Sequence, residues 1–367
     1  MKIALLTPGG VDRSGIHRVI PCVLWLIEEL VAAGHEVHVF VPRQEAVAGD
    51  WPMCGARVHN GGRGGWRRRL LRAFRAEHHK ARFDVIHALW AGMAEFGAVA
   101  GWLFRVPTVV TLAGGEPAAA SEIGYGGLTS VRGRFQLRLA AAMASHLTVP
   151  SDFMRRLALV RGIAATTIPL GVSLRHWPVS APRERPIGAP LRLLHVASLN
   201  RVKDQPMLLE AMWLLKEAGL PFRLRIAGCD TLDGEIQRLA ERLGLQRDIE
   251  FLGELDREVL RREYERSDVL VMSSRHEAGP LVMLEGALAG VPTVGTAVGH
   301  IADQAPHASL AVPVADAAAL AQAIRDLAAD EPWRLRLAET AQRFAARHDA
   351  AFTARAFGEL YRSVAAR

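Results

Sequence analysis

The sequence predicts an α/β protein built from two domains, each with a doubly wound parallel sheet. Short apolar runs rich in Val, Ile and Leu alternate with longer runs of helical periodicity. This alternation is typical of parallel strands joined by helices. The chain has 367 residues, which is more than one ordinary hydrophobic core accommodates and suits two domains.

The predicted elements repeat the same rhythm in both halves of the chain. In the first half, a strand at residues 3–7 precedes a helix at 19–33 that ends at Gly34, and further strands follow at 36–41, 84–87 and 107–112. In the second half, strands are predicted at residues 191–197, 222–227, 249–252, 269–272, 293–295 and 310–312. Helical stretches lie between them, as parallel pairing requires.

A proline- and glycine-rich segment with interspersed charges, residues 171–190, separates the two halves. We interpret it as a linker between a domain at 1–170 and a domain at 191–345. The helical segment at 346–367 is expected to cross back to the first domain. In doubly wound sheets ligands bind beyond the carboxyl ends of the strands, so the loops after strands are where chemistry is expected.

Composition narrows the class of protein. Half of the residues are apolar and 23% are charged, which is typical of a globular chain and not of a disordered one. Three widely spaced cysteines indicate neither a disulfide framework nor a zinc site. The N-terminus lacks the features of a secretory signal, and no apolar run is long enough to span a membrane. We therefore expect a cytoplasmic protein.

The net charge of +7 favours an anionic partner such as a nucleotide-type substrate or a lipid surface. The competing interpretation is a solvated basic surface. No nucleic acid is expected as a partner, because the sequence contains no recognised nucleic-acid-binding module.

Two glutamates, Glu277 and Glu285, bracket a turn and a helix start. Glu277 lies in the loop after the strand at 269–272, and Pro280 suits the first helical position, where a missing N–H costs nothing. Gly290 ends the helix. Glu285 therefore lies about one turn inside the helix.

The start of this helix is a candidate phosphate site. An anion is favoured there by the positive end of the helix dipole and by the unpaired N–H groups of Leu281, Val282 and Gly279. Glu285 lies on the same face as Leu281, roughly 6 Å further along the axis, where its carboxylate can accept hydrogen bonds from ribose hydroxyls. If the bound phosphate is part of a diphosphate, Glu277 would contact the group attached to its other end. The competing interpretation is that both glutamates are solvated charges.

The segment EAGPLVMLEG (residues 277–286) resembles the Glu-x7-Glu signature of retaining glycosyltransferases of family four. The resemblance extends to ALAGVPTVG, AAGHEVHVF and IPLGVSLRHW. It implies the GT-B fold, in which two Rossmann-like domains face each other across a cleft. It also implies that Glu285 holds the donor ribose, that the amides of Leu281 and Val282 hold the phosphates, and that Glu277 binds the donor sugar and helps to stabilise positive charge at its ring.

A second motif follows the first strand of the second domain. Lys203 in SLNRVKD (residues 198–204) occupies the place of the lysine that, in the family, neutralises the leaving diphosphate. The family's arginine is replaced by Ser198 at this donor site, and Arg201 is the candidate substitute. The sequence has no Asp-x-Asp pair, so cationic side chains and helix dipoles, and not a metal ion or other cofactor, are expected to stabilise the leaving group.

The first domain offers weaker candidates. The loop after the first strand contains Gly15, which the resemblance places against the donor phosphate, and a helix is expected to begin near Ile16. The family's sugar-binding histidine is Ala113 here. Glu116, Tyr125 and His87 are therefore the acceptor-side candidates, with loop or structural residues as the competing interpretation.

A basic segment, Arg63–Arg75, places Trp66, Leu70, Leu71 and Phe74 on one helical face with arginines around it. This pattern suits a helix lying on an anionic membrane surface. The competing interpretation is a helix packed on the core with a solvated basic side.

The sequence thus predicts a retaining, hexosyltransferase-type enzyme that moves a sugar from a nucleotide diphosphate sugar to a hydroxyl of a sugar, lipid-linked or small-molecule acceptor. By resemblance, its context is polysaccharide or glycolipid assembly, in the cytoplasm or peripherally on the inner membrane face. Ala113 and Ser198 keep open a catalytically silent sugar-nucleotide binding partner. A nucleotide-sugar epimerase or hydrolase on the same fold is the other alternative.

Overall fold

The computed structural model describes residues 1–366, and in them the chain divides into two compact units. Unit 1 consists of Met1–Ser173 together with the segment from His348 onward, and unit 2 is Leu174–Arg347. The linker proposed at residues 171–190 therefore belongs largely to unit 2. Among residues 1–366, no helix has the length and apolar character that crossing a membrane requires.

The sheet of unit 1 has eight strands in the order β3-β4-β2-β1-β5-β6-β7-β8. They are β1 (Lys2–Leu6), β2 (Glu36–Val41), β3 (Gly49–Met53), β4 (Ala56–Asn60), β5 (Val85–Leu89), β6 (Thr108–Thr111), β7 (His146–Val149) and β8 (Thr166–Thr167). Neighbouring strands are parallel except β3 and β4, which form an antiparallel hairpin at the sheet edge. No strand pattern in the sequence predicts this hairpin, because β3 contains glycine, aspartate and proline instead of an apolar run.

Six helices accompany this sheet: α1 (Pro21–Ala32), α2 (Trp66–Lys80), α3 (Ala91–Phe104), α4 (Val131–Met143), α5 (Asp152–Leu159) and the C-terminal helix α13 (Ala350–Ala365). Helix α13 packs against α1 and β5. The backbone before α13 approaches Gly171 closely, since a Cβ at position 171 would lie 2.2 Å from the backbone carbonyl carbon of Asp349. Only a residue without a side chain allows this packing.

The sheet of unit 2 is parallel throughout, with the order β11-β10-β9-β12-β13-β14. Its strands are β9 (Leu191–Val196), β10 (Phe222–Ala227), β11 (Ile249–Gly253), β12 (Val269–Met272), β13 (Thr293–Thr296) and β14 (Ser309–Val312). Its helices are α6 (Gln205–Glu217), α7 (Glu235–Arg242), α8 (Arg257–Glu265), α9 (Leu281–Leu288), α10 (Gly299–Gln304), α11 (Ala317–Ala329) and α12 (Glu331–Arg347). Buried aliphatic side chains of α6, α11 and the strands form its core.

Strand order determines where a ligand can enter unit 2. After β9 the chain builds β10 and β11 on one side, and β12 then returns to the other side of β9. The loops that follow β9 and β12 therefore diverge to opposite faces and leave a crevice between them. Such a switch point is where doubly wound sheets bind their ligands.

Candidate functional site

The loops after β9 and β12 are tied together across the switch point of unit 2. The Ser273 hydroxyl donates to the carbonyl oxygen of Lys203 at 2.6 Å. The Arg275 N–H donates to the carbonyl oxygen of Val202 at 2.7 Å, and the Arg275 guanidinium pairs with the Asp204 carboxylate. These bonds fix the two loops relative to each other, so the side chains they carry are held in place.

Lys203 and Glu277 are in direct contact in this crevice. The Lys203 ammonium donates to Oε1 of Glu277 at 2.5 Å, and the Ser274 hydroxyl donates to the same oxygen at 2.7 Å. The side chains are 24% and 12% exposed, so the pair is largely shielded from water yet still reachable. The two motifs predict that both residues belong to one site but do not predict that they pair, and their catalytic roles remain predictions.

The helix that follows, α9, begins without a side-chain cap. Pro280 is the N-cap residue, one position earlier than predicted, and Leu281 is the first helical residue. The first N–H groups of a helix have no partner within the helix. Gly279, Leu281 and Val282 are only partly buried. The predicted anion-binding end is therefore accessible at the edge of the crevice.

Glu285 is buried, with only 6% of its surface exposed. Burial raises the pKa of its carboxyl group to about 7, although the Tyr264 hydrogen bond and the positive charge of Arg257 act in the opposite direction. The Tyr264 hydroxyl lies 3.2 Å from Oε2 of Glu285 and 3.1 Å from the carbonyl oxygen of Val282. The interpretation of Glu285 as a solvated helix residue is therefore wrong. A carboxyl group that titrates near neutrality beside a crevice is typical of functional sites.

Two residues that no sequence motif predicts support this site. Tyr264 on α8 is completely buried and orients Glu285 from another helix. His195 on β9 bonds the Val271 carbonyl oxygen through Nδ1 at 2.8 Å and accepts from the Gln205 amide at 3.2 Å. Burial lowers the pKa of His195 to about 4, so it is neutral and structural. No local motif marks either residue, because Tyr264 contacts Glu285 over 21 positions and His195 contacts Val271 over 76 positions of the chain.

Two predicted donor-site residues form no hydrogen bond or ion pair with Lys203 or Glu277 within residues 1–366. Ser198 accepts a hydrogen bond from the Cys229 thiol at 3.3 Å. Arg201 is exposed, and no hydrogen bond or ion pair joins it to another residue in 1–366. The structure therefore does not place the Arg201 guanidinium against Glu277, and Lys203 is the cation in contact with that carboxylate.

The Gly15 loop in unit 1 differs from its prediction. No helix begins near Ile16, since α1 begins at Pro21. The loop instead turns around Asp12, which accepts from the Ser14 N–H at 3.0 Å and pairs with Arg18. The Ser14 hydrogen bond is the largest cause that lowers the pKa of Asp12 to about 2. Gly15 is exposed, with φ of +67°, and its contact with a donor phosphate stays a prediction.

Glu116 and Tyr125 lie close together in unit 1. The Glu116 carboxylate accepts from the N–H of Ala91 at 3.1 Å and from the N–H of Gly114 at 2.7 Å. It thereby occupies the start of α3, and its burial raises the pKa of its carboxyl group. The Tyr125 ring covers Gly115, where a Cβ would lie 2.8 Å from the tyrosine hydroxyl. Both residues border the segment of Ala113, and their acceptor roles stay predictions.

The acceptor-side prediction for His87 is wrong. His87 is completely buried within β5. Its Nδ1 lies 2.6 Å from the Tyr361 hydroxyl, and its Nε2 lies 2.6 Å from the Thr111 hydroxyl. Burial lowers the pKa of His87 to about 3. Since the ring faces α13 and both nitrogens are engaged, His87 is a structural residue.

Two of the four apolar residues of the basic helix face the protein interior. In α2, Leu70 is 1% exposed and Phe74 is completely buried, because both pack on the core of unit 1. This packing fits the competing interpretation, a core-packed helix with a solvated basic side, whereas Trp66 and Leu71 are only partly buried and contact of Arg63–Arg75 with a membrane stays a prediction. The arginines of this segment remain exposed.

Two family models match the chain. The model described as a glycosyl transferase 4-like domain matches residues 19–171, and the model described as glycosyl transferases group 1 matches residues 182–344. A curated relative, D-inositol 3-phosphate glycosyltransferase from Corynebacterium urealyticum, is 34% identical over 192 residues, which are 49% of this chain and 45% of that protein. The match thus spans less than half of that relative's length.

Solved structures share the fold. Sucrose-phosphate synthase from Thermosynechococcus elongatus superposes with a TM-score of 0.80 at 23% identity, covering 100% of this chain and 99% of that one. Anabaena HepE in complex with UDP-glucose gives a TM-score of 0.75 at 18% identity, covering 99% and 100%. At these identities the likeness concerns the fold alone, and it confirms the predicted GT-B class with two parallel-sheet α/β domains.

Proposed function

The chain belongs to the glycosyl transferases group 1 family, and from this premise we propose that it transfers a hexose from a nucleotide diphosphate sugar to an acceptor hydroxyl with retention at the anomeric carbon. The observation that carries the proposal is the Lys203–Glu277 contact beside the uncapped start of α9. This arrangement offers fixed positive charge to a diphosphate and a carboxylate to the sugar attached to it.

Three features support the placement of the donor. The free N–H groups at Leu281 and Val282 suit the diphosphate oxygens. Glu285 lies one turn further along the same helix, and as a carboxylate it can accept hydrogen bonds from two ribose hydroxyls. Glu277 lies on the other side of the helix start, where the sugar would be. The donor thus runs along α9 with its phosphates at the positive end of the helix dipole.

The proposed reaction proceeds on one face of the sugar. The bond between the anomeric carbon and the diphosphate oxygen breaks, and its electron pair stays on that oxygen. The acceptor oxygen bonds to the anomeric carbon from the same face, and its proton passes to the departing diphosphate oxygen. The nucleoside diphosphate then leaves. This route requires no protein nucleophile, which agrees with the absence of a nucleophile motif in the sequence.

Lys203 and the α9 amides are proposed to stabilise the negative charge on the leaving group. A preorganised donor aimed at developing charge contributes on the order of 3–4 kcal/mol to a transition state. Glu277 keeps Lys203 oriented in the free enzyme, and it supports positive charge that develops at the sugar ring. We further propose that this stabilisation operates without a metal ion. Activity that survives chelation by EDTA is the expected result, and activity that requires an added divalent ion would contradict it.

The proposal places the enzyme in polysaccharide or glycolipid assembly, as the family resemblance implies. UDP-glucose, which Anabaena HepE binds, is the first donor to test. The other nucleotide diphosphate sugars follow as a panel.

The test is release of nucleoside diphosphate from each donor, with and without a panel of sugar and polyol acceptors. Release that depends on acceptor and falls in Glu277→Gln, but not in the exposed control Glu254→Gln, supports a transferase. Release without acceptor would instead indicate a hydrolase, and tight donor binding with no release would indicate a silent binding partner. The proton NMR spectrum of the product then shows whether the anomeric configuration is retained.

A further inference from the structure

Unit 1 contains a basic cavity that the proposed donor site does not use. Its volume is about 750 Å³, which lies within the usual range of small-molecule sites. Arg43 contributes to it from the loop after β2, Arg67 and Arg68 from the start of α2, and Arg132 from the start of α4.

The charges around this cavity are unbalanced. Four arginines line it, and no aspartate or glutamate does. Arg67 pairs with Glu95 at 2.5 Å. For Arg43, Arg68 and Arg132, no ion pair joins the guanidinium to any carboxylate in residues 1–366. Three uncompensated guanidinium groups around one concave surface favour an anion, since their fork geometry matches phosphate oxygens.

The position of the cavity points to a ligand independently of charge. In unit 1, β1 lies between β2 and β5, so the loops after β1 and β5 diverge at the switch point of this sheet. Pro8 from the first of these loops and Gly92 at the start of α3 both line the cavity. The start of α2 has no side-chain cap, so its positive dipole end adds to the potential at this edge; the start of α3 does not contribute in this way, because the Glu116 carboxylate accepts from the Ala91 N–H there.

We propose that this cavity binds the acceptor of the reaction, and that the acceptor is a phosphorylated sugar or polyol, either free or as a lipid headgroup. This inference rests on the proposed function, because it names the acceptor of that transfer. The phosphate would bind the arginines. Trp66 and Gln136, which also line the cavity, offer an aromatic face and an amide to the hydroxyl-bearing part.

The proposal assigns the arginines of the basic segment, Arg63–Arg75, to a ligand site instead of to contact with a flat membrane surface. Arg67 and Arg68 line a cavity, whereas Arg72 on the same helix is exposed and does not line it. A diffuse electrostatic attraction to lipid would use all three arginines alike. A defined phosphate site would depend on Arg67 and Arg68 but not on Arg72. Arg72 therefore supplies a matched control.

The test is calorimetric titration of inorganic phosphate into the full chain and into the variants Arg68→Gln, Arg132→Gln and Arg72→Gln. Loss of one charged hydrogen-bonding partner is expected to weaken phosphate binding about tenfold in the first two variants and to leave it unchanged in Arg72→Gln. Equal affinity in all four proteins, or no binding by the unmodified chain, would overturn the proposal.

Two further measurements identify the source of the phosphate. Fructose 6-phosphate that outcompetes uncharged fructose as an acceptor supports a free sugar phosphate. Binding to phosphatidylcholine vesicles that requires phosphatidylinositol, and that is lost in Arg68→Gln but kept in Arg72→Gln, supports a lipid headgroup. Equal loss of vesicle binding in Arg68→Gln and Arg72→Gln would show that a diffuse basic surface binds the vesicles, and it would refute the proposal of a defined phosphate site.

Titration of UDP separates failure of this inference from failure of the proposed function. The acceptor site alone would be refuted if UDP binding depends on Glu285 while phosphate affinity is unchanged in Arg68→Gln and Arg132→Gln. Absence of binding by UDP and the other nucleotide diphosphates would refute the donor site. The phosphate titrations would then still report on the cavity.

Discussion

Replacing Glu285 by glutamine is expected to stabilise the ligand-free protein, and to do so more strongly as the pH rises. Glu285 is buried among α9 residues and Tyr264, and burial raises the pKa of its carboxyl group from 4.5 to about 7. Below the unfolded pKa both states carry a neutral carboxyl group. As the pH rises, the unfolded chain releases the proton before the folded chain does, so the wild-type protein loses stability.

The difference between the two pKa values corresponds to about 3 kcal/mol. The loss begins near the unfolded value of 4.5 and is complete above the folded value of about 7. Glutamine has the same shape without the titration, so the variant escapes this loss. For a unit of this size the expected gain in melting temperature is roughly 6–12 °C.

The assay is thermal unfolding of both proteins from about pH 5 to about pH 9, with the exposed Glu241→Gln as control. The melting temperature of Glu285→Gln minus that of the wild type is expected to grow up to about neutral pH and then to level. The control is expected to show no such growth. Parallel pH profiles for wild type and Glu285→Gln would refute the assignment of a buried carboxyl group that titrates near neutrality.

Three further outcomes are expected. Lys203→Gln lowers the rate of nucleoside diphosphate release by about 10²–10³-fold; an unchanged rate would remove Lys203 from the mechanism. Gly171→Ala lowers the free energy of unfolding in urea by about 2 kcal/mol or more, since its Cβ would lie 2.2 Å from the Asp349 carbonyl carbon; a neutral effect would show that the packing of α13 is looser. Tyr361→Phe leaves a nitrogen of buried His87 without its partner and costs about 1–3 kcal/mol in the same measurement; no change would mean that another group replaces the hydroxyl.

The sequence was sufficient to predict the parallel sheet of unit 2 and the loops of its crevice. Its central strands β12 and β13 are buried on both faces and therefore appear as apolar runs. The Gly-Pro pair before Leu281 marks the start of α9 within one residue. The two-domain GT-B class followed from this regularity and from the Glu-x7-Glu resemblance. The edge strands of unit 1 were missed because solvent contact relaxes their apolar pattern.

Pairings between distant segments could not be predicted. His87 follows a strand pattern and has the chemistry of a catalytic residue, but its partner Tyr361 lies 274 positions away. Glu285 was placed correctly on α9, yet its burial depends on Tyr264 from α8. The cavity of unit 1 likewise collects arginines from three separate segments. Such features depend on tertiary packing, which periodicity and spacing do not specify.

The most direct test of the donor site is the affinity of UDP, measured by calorimetry at about pH 8, where Glu285 is ionised. The account predicts that Glu285→Gln weakens UDP binding by about tenfold or more, because a charged acceptor for the ribose hydroxyls is lost, while Glu254→Gln binds as the wild type does. Equal affinity of wild type and Glu285→Gln would contradict the placement of the nucleotide along α9.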